Sequence, residues 1–165
     1  MTLFQGRAEV LRQKSALDRA FTRANNVDID DHELRSDLAK HLCVLISGWL
    51  EASAYELAKQ RCRMNSNGPV LSYSLSQLSW TKNPSAESLL ELVGFFDLSW
   101  RDEFEKVLDL ERKSAVNSIV GLRNDIAHGK SQATGSLSLA RVADYYERVV
   151  EVVDFLMDLF DPVSN

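Results

Sequence analysis

Leu42-Cys43-Val44-Leu45-Ile46-Ser47-Gly48-Trp49-Leu50 is apolar on nearly every side of a helical projection, and its reading decides the fold. A helix without a polar face is one that the others pack against. Upstream, Asp30-Asp31-His32-Glu33 offers an acid at the cap and a glutamate three positions later, a capping-box arrangement that starts a helix running to about Met64. Ser66-Asn67-Gly68-Pro69 ends it, because glycine takes the left-handed conformation and proline cannot continue the ladder. Gly48 beside Ser47 would let a second backbone approach closely.

Outward from this centre the chain reads as helices. Ala8 to Ala24 carries one apolar stripe through Val10, Leu11, Leu17, Ala20 and Phe21. Leu71 to Ser76 alternates apolar and polar residues with no partner strand in sight, so it reads as an extended loop. Asn83-Pro84 places a cap before a proline and opens a short helix to Phe96. Ser99, with Asp102 three residues on, starts another to about Leu110. Ser114 to Ala127 forms a further helix that Gly129 terminates. Ser136 or Ser138 caps the last one, where Val142, Tyr146, Val149, Val153, Leu156 and Phe160 form a heptad-type seam for core packing or for pairing with another subunit. These parts predict one all-α domain over residues 1–165, an up-and-down bundle of five to six helices with a long central second helix.

Composition narrows the function. The 165-residue chain is 45% hydrophobic, which suits a single domain, and its net charge of −5 argues against a protein that coats nucleic acid broadly. RNA contact would have to be local. Lys59, Arg61, Arg63, Lys113, Arg123 and Lys130 form a basic set that either converges in space or lies on separate solvated faces. Cys43 and Cys62 fall in the one long helix, about 28 Å apart at 1.5 Å per residue, and cannot bridge. With no apolar leader and no membrane-length apolar run, the expected setting is the cytoplasm.

One segment concentrates chemistry: Gly121-Leu122-Arg123-Asn124-Asp125-Ile126-Ala127-His128-Gly129. Arg123 is a permanent cation able to hold a phosphate through two parallel donors, and a histidine can give or take a proton near neutrality. Five positions along a regular helix rotate by about 140°, so the two share a site only if His128 sits at or beyond the last turn. A helix C-terminus favours a protonated imidazole and suits a general acid. His32 and His41 stand about 180° apart on a helix and cannot share a metal, and no Cys/His cluster or glycine-rich phosphate loop is present, so neither metal nor cofactor is expected.

The string Arg123-Asn124-x-x-Ala127-His128-Gly129 resembles the HEPN superfamily, whose nuclease members carry an arginine, four to six residues, and a histidine. Leu45-Ile46-Ser47-Gly48-Trp49-Leu50-Glu51 is similar to the long second helix of the bacterial families related to the RiboL-PSP type. The resemblance runs from the first helix to the last. It implies a metal-independent endoribonuclease in which a symmetric homodimer brings two motifs into one cleft, with Arg123 and His128 catalytic. One His128 takes the 2′-hydroxyl proton and the other protonates the leaving oxygen, giving a 2′,3′-cyclic phosphate and a 5′-hydroxyl. Asn124 would hydrogen-bond the phosphate or hold His128. Glu51 is either the carboxylate that orients Arg123 or a solvated charge, and Lys130, Arg61 and Arg63 are candidate RNA contacts. The implied role is that of a toxin or phage-defence effector held in check by an antitoxin protein. HEPN proteins controlled by a nucleotidyltransferase carry a tyrosine two residues after the histidine; Lys130 stands there instead, against that mode of control. The competing reading is a non-catalytic helical dimer that binds RNA or a protein and uses Arg123 and His128 structurally.

Overall fold

A computed structural model of the chain describes residues 5–78, 82–130 and 134–160. Among these residues there are seven helices and no strand: α1 Gln5–Asn25, α2 His32–Asn65, α3 Gly68–Gln77, α4 Ala86–Phe96, α5 Leu98–Val107, α6 Leu110–Ala127 and α7 Leu139–Phe160. No helix of the described residues is long and apolar enough to cross a membrane.

The long helix α2 is the hub, and Leu42, Cys43, Ile46, Trp49, Leu50, Ala54 and Leu57 are buried in it. It is not buried all round: the apolar Val44 and Leu45 lie with Gly48 on an exposed strip. Asp31, not Asp30, caps the helix by accepting from Leu34 N–H at 3.0 Å, which puts a leucine at the third position and leaves no reciprocal capping box. The close approach that Gly48 would allow is not made within the chain, since a Cβ there would meet nothing within 4 Å. The close approach is at Gly6 of α1, where a Cβ would fall 2.9 Å from the Glu56 carbonyl oxygen.

A few contacts fix the directions of the bundle. Trp49 Nε1–H donates to the Val10 carbonyl at 3.0 Å and the Gly6 N–H donates to Gln60 Oε1, so α1 runs antiparallel to α2. Tyr146 Oη–H donates to Asp18 Oδ1 at 2.6 Å and Arg7 pairs with Asp158 at 3.2 Å, so α7 is antiparallel to α1 and parallel to α2. Arg112 of α6 pairs with Glu151 at 2.8 Å, and Leu122 shares a groove with Arg141, which makes α6 antiparallel to α7 and hence to α2. The six seam residues of α7 named above are all buried, so the seam packs the core of this chain. Phe21 stacks on Tyr146 at 4.8 Å and Trp49 meets the same ring edge-on at 5.9 Å.

The shorter helices depart from expectation. The stretch read as an extended loop is α3, which accounts for a seventh helix where five to six were expected. Its serines turn inward on their own backbone: Ser72 Oγ–H donates to Gly68 O at 3.3 Å and Ser74 Oγ–H to Val70 O at 2.9 Å. Helix α4 is capped by Ser85, whose Oγ accepts from Ser88 N–H at 3.1 Å, rather than by Asn83. Asp97, not Ser99, caps α5 by accepting from Ser99 N–H at 2.7 Å. Ser138 is the cap chosen for α7, accepting from Arg141 N–H at 3.2 Å. Both cysteines are free, Cys43 buried and Cys62 half-buried.

Candidate functional site

Helix α6 begins at Asp109, whose carboxylate accepts from Arg112 N–H at 3.0 Å, and is held to the core by Ala115, Val116, Ile119 and Val120. Its far end is shaped by Gly129, which takes a left-handed φ of +65°. Gly129 N–H donates to Ile126 O at 3.1 Å and Lys130 N–H to Asp125 O at 2.9 Å. This pair of bonds is the Schellman closure, so the last carbonyls are satisfied by the chain itself. Lys130 Nζ adds an ion pair to Asp125 at 3.1 Å, and Lys130 is thus engaged on the surface beside the motif.

His128 is the C-terminal cap of the helix. Its N–H still donates to Asn124 O at 3.0 Å, so its side chain leaves the helix about 140° from that of Arg123. The imidazole is exposed, and among the described residues it makes no hydrogen bond or ion pair. Arg123 is half-buried and donates from Nη1 to Asn124 Oδ1 at 3.3 Å. Asn124 and His128 are i,i+4 neighbours on one face of the helix, and the Arg123 guanidinium reaches as far as Asn124. Arg123, Asn124, His128 and Lys130 thus all lie at the C-terminal end of α6, with Arg123 in contact with Asn124, and with His128 leaving the helix on another side from Arg123.

Glu51 is elsewhere. Cys43 Sγ lies 3.7 Å from the Ile119 carbonyl, and because α2 and α6 are antiparallel, Arg123 sits one turn to one side of that level and Glu51 two turns to the other. At 1.5 Å per residue this separates them by about 18 Å along the axis. The Glu51 carboxylate instead accepts from the N–H of Asn83, which has a left-handed φ of 48°, at 2.9 Å. Its observed role is to fix the turn before α4, and it does not orient Arg123 within the chain.

The basic set does not converge either. Arg61 and Arg63 are at the end of α2, about 33–36 Å along the bundle from the level of Arg123. Arg61 lies 4.9 Å over the Trp100 ring, and Arg63 lines a separate groove between α1 and α2. Trp80 lies outside the described residues, while Trp49 and Tyr146 are core.

Next to the motif, a cleft of about 340 Å³ opens between α6 and α7, lined by Gly121, Asp125, Ser136, Arg141 and Tyr145 among others. Tyr145 is half-buried, and Arg141 belongs to no motif. The only sequence signal for it is its i,i+4 spacing from Tyr145 on the last helix.

No group of histidine, cysteine and carboxylate side chains among the described residues is arranged to hold a metal ion. A model of the RiboL-PSP-HEPN family matches residues 8–161. No curated protein and no solved structure matches the chain.

Proposed function

The chain belongs to the RiboL-PSP-HEPN family, and from that membership we propose that it is a metal-independent endoribonuclease acting as a homodimer. The observation that supports this best is the end of α6, where Arg123 is held by Asn124 and an exposed, uncommitted His128 caps the same helix.

Each protomer offers one imidazole, and the reaction needs two proton transfers at opposite sides of one phosphorus. A second copy supplies the second. One His128 takes the proton of the 2′-hydroxyl, O2′ attacks the phosphorus, the bond from phosphorus to O5′ breaks, and the other His128 delivers a proton to O5′. The paired Arg123 side chains hold the non-bridging oxygens as their charge grows. The 2′,3′-cyclic phosphate and 5′-hydroxyl follow from this route. The proposed setting is cytoplasmic, and the proposed biological role is that of a toxin or phage-defence effector restrained by an inhibitory protein.

The test is to incubate the purified protein with RNA in EDTA. Wild type should leave cyclic-phosphate ends, and His128→Ala should abolish cleavage while keeping its thermal midpoint, because the imidazole supports no contact in the fold. An inert wild type that still binds RNA would replace the enzyme reading with that of a binding protein.

A further inference from the structure

The cleft between α6 and α7 carries a combination that the proposed cleavage chemistry does not use. Gly121, Asp125 and His128 follow one another at i, i+4 and i+7, so the cleft runs along the same strip of α6 that ends in the imidazole. Gly121 has no side chain to fill it, and a Cβ there would meet nothing within 4 Å. Across the cleft, Arg141 Nε–H donates to Tyr145 Oη at 3.1 Å, and the guanidinium carbon stands 5.9 Å from the Tyr145 ring centroid. Arg141 is exposed, makes no ion pair among the described residues, and keeps its remaining guanidinium donors uncommitted. Asp125 is tied to Lys130 through Oδ1, which leaves its other oxygen as an acceptor.

A half-exposed aromatic ring, a guanidinium with donors to spare and a carboxylate acceptor around a cleft at the small end of the usual range for small-molecule sites suit one planar, polar-edged group. A nucleobase has that shape: its face stacks on an aromatic ring and its edge offers acceptors to arginine and donors to a carboxylate. We propose that this cleft is a base-binding subsite that holds the nucleotide next to the scissile linkage of a single-stranded RNA, with Tyr145 as the stacking platform and Arg141 as the donor that positions base or flanking phosphate. The proposal rests on the nuclease reading for its register against His128, while its base-binding core stands without it. Asp125 sits only three residues before His128, about 4.5 Å along the axis, which leaves the imidazole within one nucleotide's reach of the cleft. Duplex RNA, whose bases are already stacked, would not enter.

The experiment uses the full chain carrying His128→Ala, with and without Tyr145→Leu, Tyr145→Phe or Arg141→Gln, in EDTA. Binding of a labelled single-stranded oligoribonucleotide, the same sequence as a duplex, and an abasic ribose-phosphate oligomer of equal length is followed by fluorescence anisotropy. Cleavage by the same Tyr145 and Arg141 variants with His128 restored is measured in parallel. Tyr145→Leu should weaken single-strand binding by roughly 5- to 100-fold, the range that stacking of one base supports. Tyr145→Phe should retain most of the affinity, and the abasic oligomer should be indifferent to all Tyr145 changes. Arg141→Gln, at an exposed position that leaves the fold intact, should also weaken single-strand binding and raise KM more than it lowers kcat.

Equal losses on abasic and base-bearing strands, or no binding of single-stranded RNA by the His128→Ala chain, would overturn the subsite. Cleavage by wild type with Tyr145→Leu and Arg141→Gln unchanged in binding and KM would overturn it too, while the nuclease reading survived. An inert wild type whose base-dependent binding is lost in Tyr145→Leu would keep the subsite and remove the nuclease.

Discussion

Arg123 donates from Nη1 to Asn124 Oδ1 at 3.3 Å, and Asn124 stands one helical turn before His128. The Arg123 and His128 side chains leave the helix about 140° apart, and Asn124, which holds the first, lies on the face of the second. The contact makes Arg123 the group whose shape matters most. Arg123→Lys keeps the charge but loses the planar fork, so kcat/KM on RNA should fall by about 100-fold or more. Asn124→Ala leaves the guanidinium present but unaimed, and a smaller loss, about 10-fold, is expected. Steady-state kinetics in EDTA, with circular dichroism to confirm folding, checks both.

Gly129 holds the turn that ends α6. At φ +65° a residue with a Cβ is strained, so Gly129→Ala should destabilise the chain by about 1–2 kcal/mol in urea unfolding. Activity should fall further than stability accounts for, because the Lys130–Asp125 pair and the position of His128 depend on that turn. An unchanged urea midpoint would show that the terminator is not needed.

Two other glycines should respond in opposite directions. Gly48→Ala adds a Cβ in open space within an exposed part of α2 and should stabilise the protomer by about 0.5–1 kcal/mol. Gly6→Ala pushes a Cβ to 2.9 Å from the Glu56 carbonyl oxygen and should destabilise it by forcing α1 off α2. Urea midpoints of the two variants, compared with wild type, decide both.

Alkaline pH should unfold the protein through Cys43 and Tyr146. Burial pushes the Cys43 thiol from 9.0 up to about 12. Burial, and then the hydrogen bond to Asp18, raises Tyr146 above its ordinary value of 10.0. Both groups are raised in the folded state, so the unfolded chain ionises first and binds fewer protons. Their contribution is complete below about pH 9 and is lost as pH climbs toward 12, with a slope approaching about 1.4 kcal/mol per pH unit for each group once its unfolded form has titrated. Cys43→Val should flatten the part of that decline that begins near pH 9, measured as urea midpoint against pH.

The long helix, the heptad seam of α7 and the end of α6 were legible because their signals are local. A wide apolar surface, a regular spacing and a glycine after the last turn each act within a few residues. The α3 segment was not legible, because Leu71-Ser72-Tyr73-Ser74-Leu75-Ser76 alternates like a strand while its hydroxyls bond back to helical carbonyls. The caps of α2, α4 and α5 slipped by one or two residues wherever neighbouring polar side chains competed, Asp31 winning over Asp30, Ser85 over Asn83 and Asp97 over Ser99. Glu51 shows what pattern alone withholds. Its distance from Arg123 depends on α6 running against α2, which the contacts of α1 and α7 settle and no spacing along the chain reveals. The same holds for Arg141, which meets the motif helix only through the packing of α7.

In the proposed dimer, one cleavage event uses His128 from two copies of the chain. Wild type and His128→Ala chains, refolded together in varying proportion at constant total protein, test it directly when RNA cleavage in EDTA is measured against the wild-type fraction. The rate should follow the square of that fraction, because only wild-type pairs carry both imidazoles. A rate proportional to the fraction itself would contradict it, since each protomer would then be cutting alone.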